Sequence, residues 1–100
     1  MEKFQVIVDP DLKTILPRYI EILWEQLSIL EQSAESGDSE TACILGHKLK
    51  GTGSSYGFNR LTELGAAIET ASKSKDFETT GKLATKMRNY LENAEIIYGK

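Results

Sequence analysis

Three features of the sequence predict an all-α fold, an up-down-up-down antiparallel four-helix bundle with a short N-terminal helix. Both prolines, Pro10 and Pro17, fall within the first 17 residues, so nothing later in the chain opposes long helices. Four apolar stripes with steps of three and four residues are separated by short breaks containing Gly, Asn or Asp, as antiparallel helix packing requires. No stretch alternates with period two for long enough to build a sheet.

Each element has its own signal. Asp9-Pro10 reads as an N-cap followed by proline at the first helical position, starting a short helix over about 10–16. Pro17 then opens the first bundle helix, about 17–36, with Ile20, Leu23, Leu27, Leu30 and Ala34 inward. Gly37 breaks it, and Asp38 or Ser39 caps the second, about 39–56, whose inward positions are Ala42, Leu45, Leu49, Thr52 and Tyr56. After Gly57-Phe58, Asn59 caps a third helix, about 60–74, carrying Leu61, Leu64, Ile68 and Ala71. Asp76 caps a fourth, about 77–98, with Phe77, Thr80, Ala84, Met87, Leu91, Ala94 and Tyr98. The stripes are too short and too often interrupted by caps for a coiled coil, and the whole chain, 1–100, is expected to form one domain.

Composition narrows the function. Apolar residues at 40% and charged residues at 27% fit a globular domain and exclude a disordered acidic tail. No apolar run is long enough to span a bilayer, and Met1-Glu2-Lys3-Phe4-Gln5 lacks the basic-then-apolar pattern of a secretion signal. The single cysteine, Cys43, can form neither an internal disulfide nor a cysteine zinc site. The single cysteine fits a reducing cytoplasm, and a monomer without a membrane partner is expected. The net charge of −3 argues against nucleic acid. The single histidine, His47, excludes a multi-histidine metal site, and no cofactor is expected.

On a helical wheel His47 points away from the bundle core. Ala42, Leu45, Leu49, Thr52 and Tyr56 lie within roughly 40° of the diametrically opposite point. Cys43, Ile44, Lys50, Gly51 and Ser54 share the face of His47. A lone surface histidine is most often only a polar surface residue. Here, however, Gly46, Gly51 and Gly53 sit in the same helix, each costing roughly 1 kcal/mol relative to alanine, which calls for a packing or access reason. Lys50, one turn on, puts an ammonium within reach of whatever the imidazole binds. Imidazole has an unperturbed pKa of about 6.5 and can act as a nucleophile, and attack on a phosphoryl group would build charge that Lys50 can offset. The sequence shows no base, magnesium-binding carboxylate cluster or nucleotide site around it, so such a residue would carry a phosphoryl group rather than catalyse its transfer unaided.

The segment His47-Lys48-Leu49-Lys50-Gly51, followed by Gly57-Phe58, resembles the signature of histidine phosphotransfer domains, H-x-L-K-G with a second glycine a few residues on. The likeness runs from about Asp9 to Tyr98. It includes Leu16-Pro17-Arg18-Tyr19 ahead of the motif, the Gly37-Asp38 turn, and Leu64 and Glu69 after it. The resemblance implies a phosphocarrier without autokinase activity in a two-component phosphorelay. Its partners would be the receiver domain of a response regulator and a sensor or hybrid histidine kinase. His47 would be the phospho-acceptor and Lys50 would steady the phosphoryl group. Gly51 would leave room for the receiver, with Cys43, Ile44, Lys48 and Ser54 around the docking surface.

Other readings fit less well. Gly51-Thr52-Gly53-Ser54-Ser55-Tyr56-Gly57 lacks the Gly-Lys-Ser/Thr ending of a nucleotide loop, and no strand precedes it. A hydrolase pairing of His47 with Ser54 would span about 10 Å along one helix, beyond hydrogen-bond reach. The remaining alternative is a helical protein-interaction module without phosphoryl transfer. Lys82, Lys86 and Arg88 read as a solvated face, and Trp24 and Tyr19 as packing residues.

Overall fold

Asp38 and Asp76 each cap a helix in the same way. Their carboxylates accept the backbone N–H of Thr41 and Thr79, both at 3.1 Å, and the two threonine hydroxyls donate to the second carboxylate oxygens at 2.7 Å. In the computed structural model, which describes residues 3–99, these caps open two of four long helices. They are α1 (Leu16–Ser36), α2 (Ser39–Thr52), α3 (Asn59–Lys73) and α4 (Phe77–Asn93). Gly37, at φ 75°, ends α1 in the left-handed conformation that glycine adopts without steric cost. Each helix packs on its neighbour in sequence and α4 returns to α1, closing a ring of four. Leu23, Leu27, Leu30, Ala42, Leu61, Ile68 and Met87 fill its interior with no exposed surface. Among the described residues no helix is long and apolar enough to cross a membrane.

The ends of the chain depart from the sequence reading. The helix expected over about 10–16 is a single 3-10 turn, Pro10–Leu12, capped by Asp9, which accepts from the Asp11 N–H at 2.9 Å. α1 already starts at Leu16, with Pro17 in its first turn, and the few residues between leave no room for a further helix. Ahead of the turn lies a strand, β1 (Phe4–Val8). It pairs in parallel with β2 (Ala94–Tyr98), Phe4 opposite Ala94 and Val8 opposite Tyr98. A small sheet therefore exists where none was expected. The fourth helix stops at Asn93 rather than 98, because Ala94 turns to an extended conformation and enters β2. Val6 and Val8 point into the core while Ile7 faces solvent. Residues 1, 2 and 100 lie outside the described residues, and with them Met1 and Glu2 of the N-terminal pattern.

Smaller corrections concern the joint between α2 and α3. α2 ends at Thr52, not 56, and a 3-10 turn, Ser54–Tyr56, follows. Gly57, at φ 87°, closes that turn. Thr52 is exposed and Gly53 is buried in its place, because the helix needs a residue without a side chain against α3. Asn59 is the first residue of α3 rather than its cap. The cap position falls to Phe58, which makes no side-chain bond to the helix. Phe58 is instead fully buried, in a cluster with Tyr19, Tyr56 and Tyr90, in which Tyr19 and Tyr56 stack at 3.8 Å. Arg88 is not part of a purely solvated face. Its guanidinium grips Glu31 of α1 through two bonds of 2.8 Å and lies over Trp24.

Candidate functional site

Three glycines let α2 and α3 approach until their backbones touch. A Cβ on Gly46 would lie 2.7 Å from the Glu69 nitrogen and 2.9 Å from the Gly65 oxygen. One on Gly53 would lie 2.8 Å from the Phe58 oxygen, and one on Gly65 would strike the Lys50 nitrogen and the Gly46 oxygen. Gly46 within α2 and Gly53 just past its end therefore have a packing reason. Gly51 is different: a Cβ there would meet nothing within 4 Å. Its cost in helix propensity is not repaid by any contact within the chain.

The close approach carries Glu69 of α3 under the exposed face of α2. Its Oε2 lies 3.1 Å from His47 Nδ1 and its Oε1 accepts from Lys50 Nζ at 3.2 Å, while Lys73 Nζ stands 3.9 Å away. The Glu69 side chain is only 14% exposed, whereas that of His47 is 72% exposed. The hydrogen bond from Lys50 is the main reason the Glu69 carboxyl ionises below its usual range. Partial desolvation opposes it, and the charges of Lys50 and Lys73 and the bond to His47 assist. A carboxylate only accepts, so the imidazole proton belongs on Nδ1 and the lone pair on Nε2. That leaves an unprotonated ring nitrogen on a ring open to solvent, with an ammonium alongside.

Of the residues singled out from sequence, His47 and Lys50 are brought together through Glu69. Ile44 is half exposed one turn before His47, Lys48 and Ser54 are exposed, and Cys43 is half-buried. Among the described residues, no hydrogen bond or ion pair joins the side chains of these four to His47. The Ser54 backbone N–H donates to Thr62 Oγ1 at 2.8 Å, pinning the end of α2 to α3. Glu69 supplies a carboxylate where the sequence showed none around His47. It lies 22 positions from the histidine. Glu69 figures in the sequence's family likeness without a role, and the matched glycines Gly46 and Gly65, which let the two helices close, are a second trace of the pairing. Among the described residues, no three His, Cys, Asp or Glu side chains gather as a metal site.

The chain matches the Hpt domain family over residues 15–96. No curated protein and no solved structure matches it. The family match spans all four helices and the exposed histidine with its carboxylate and lysine, and on that ground the chain belongs to the Hpt domain family, whose members are phosphocarriers in histidine phosphorelays.

Proposed function

We propose that His47 is the phospho-acceptor of this Hpt domain, through Nε2, and that it exchanges the group with the aspartate of a response-regulator receiver. The observation that carries this reading is the 3.1 Å contact of Nδ1 with a largely buried carboxylate on a ring 72% exposed. In the transfer, the Nε2 lone pair forms the new N–P bond as the aspartyl O–P bond breaks, and the aspartate leaves as carboxylate. Positive charge growing on the ring is balanced by Glu69 through Nδ1–H. Lys50 offsets charge on the phosphoryl oxygens. The receiver, or a sensor or hybrid histidine kinase, brings the remaining machinery, so the chain has no autokinase activity and needs no cofactor of its own. Its docking surface comprises Cys43, Ile44, Lys48, Gly51 and Ser54. The chain works as a cytoplasmic monomer, and its helices run alternately up and down.

The test is labelling by a phosphorylated receiver and by phosphoramidate. One phosphoryl group should appear, acid-labile and base-stable, and it should be absent in His47→Gln with the helical spectrum unchanged. Protein given ATP and magnesium alone should stay unlabelled. A His47→Gln protein that still accepts label from the receiver overturns the assignment.

A further inference from the structure

Away from His47, β1 meets the first turn of α3 and the last turns of α4. Two cavities open there, of about 320 and 450 Å³, and share Phe4, Arg60 and Tyr90 in their walls. Neither is lined by His47, Lys50 or Glu69. The larger has the size of a small-molecule site.

Two side-chain donors of this place, Arg60 and Tyr90, have no hydrogen-bond or ion-pair partner among the described residues. Tyr90 is 5% exposed, yet its hydroxyl forms no hydrogen bond among the described residues. The hydroxyl is not sealed off either: among the described residues the one fully enclosed side-chain atom without a partner is Ser72 Oγ, which lines neither cavity. The ring packs against Phe4 and Phe58, and the residue lines both cavities. Burial pushes the phenol pKa up, with Arg60 pulling the other way, so at neutral pH the group is a protonated donor. Arg60 lies 4.8 Å over the Phe4 ring, and among the described residues no carboxylate pairs with it. The first turn of α3 has no side-chain cap, and the backbone N–H groups of Asn59 and Arg60 find no acceptor among the described residues. A helix start, a guanidinium and an orphan phenol therefore share one unfilled requirement, an anionic oxygen.

The rest of the larger cavity defines the remainder of the ligand. Leu64, Ala67 and Leu83 give it an apolar wall, and Glu63 also lines it. Lys86 lines it too and offsets that carboxylate, which leaves Arg60 as the one cation in excess and favours a monoanion over a phosphate dianion. We infer that this cavity pair binds a small amphiphilic carboxylate, its head on Arg60, Tyr90 Oη and the α3 N-terminus and its apolar body along Leu64, Ala67 and Leu83. The site is independent of the phosphoryl chemistry at His47.

The probe is 3-phenylpropionate, titrated into the ¹⁵N-labelled chain and followed by amide shifts, with 3-phenylpropanol and inorganic phosphate in parallel. The expected result is saturable shifts at Arg60, Leu64 and Tyr90 with a dissociation constant of about 1 mM or tighter. The alcohol should bind at least about tenfold more weakly, and phosphate should give no saturation at these amides. Arg60→Gln should weaken binding about tenfold and Tyr90→Phe, which keeps the ring packing, about fivefold. The idea fails if 3-phenylpropionate gives no saturable shift, if the alcohol binds as well, if phosphate alone saturates the same amides, or if both variants bind as the parent does. Phosphoramidate labelling of His47 should be unchanged in either variant.

Discussion

Glu69 divides one carboxylate between two partners, Oε2 to His47 and Oε1 to Lys50, and so does two separate jobs. It fixes which imidazole nitrogen is free, and it holds the Lys50 ammonium next to that ring. Glu69→Ala removes both and should slow phosphoramidate labelling of His47 about tenfold, the usual worth of a charge-assisted bond. Glu69→Gln should fall between, because an amide oxygen still accepts from Nδ1–H but no longer balances a charged ring. Equal rates in all three proteins would show that the carboxylate has no part in the reaction. The sign of the pH dependence follows from the lowered Glu69 pKa. The folded value lies below the ordinary 4.5, so the tie is complete above that pH and is lost as pH falls through the folded value. Labelling between about pH 5 and 8 should therefore contain no Glu69 step, and a carboxyl-carbon titration by NMR should find the Glu69 midpoint below 4.5.

The glycines of α2 and α3 divide into two physical kinds, and element stability should separate them. Gly65→Ala drives a methyl into the backbone of α2 and should lower unfolding free energy by about 1–3 kcal/mol. Gly51→Ala meets open space and should raise it by about 0.5–1 kcal/mol. Urea midpoints of the two proteins decide the matter, and a destabilised Gly51→Ala would mean that its surroundings are not open. Gly51→Gln should further slow transfer from the receiver far more than labelling by phosphoramidate, if the open space serves docking. The helices themselves were readable because apolar steps of three and four residues and the Asp38 and Asp76 caps are local signals. The outward face of His47 was readable for the same reason. The Glu69 contact was not, because it depends on how far two helices close, and wheel geometry describes each helix alone. Thr52 and Gly53 changed places for that reason too: the interface called for the smaller residue, not the next one on the stripe.

At the scale of the molecule, β1 and β2 tie the two ends of the chain together in parallel, Val6 opposite Ile96. This tie was the least legible part of the fold. Each strand has only five residues. Leu91, Ala94 and Tyr98 continue the three-and-four step of α4, so helical periodicity absorbs β2 until Ala94 turns extended. In β1 the alternation is present but brief, with Val6 and Val8 inward and Ile7 outward. A pair so far apart in sequence closes nearly the whole chain into a loop, and its strands stay ordered only if their inner faces find the bundle core. Single substitutions on opposite faces of β1 test whether they do. Val8, with no exposed surface, should lose about 1.5–2.5 kcal/mol of stability as Val8→Ala, through lost burial and the cavity left behind. Ile7, 51% exposed, should change stability by no more than about 0.5 kcal/mol as Ile7→Ala. Phosphoramidate labelling of His47 should be the same in both, since the groups bonded to His47 and Lys50 come from Glu69 of α3 and not from β1. Similar losses in the two variants would mean that β1 is not seated by alternation, and that the ends of the chain are held by strand pairing alone.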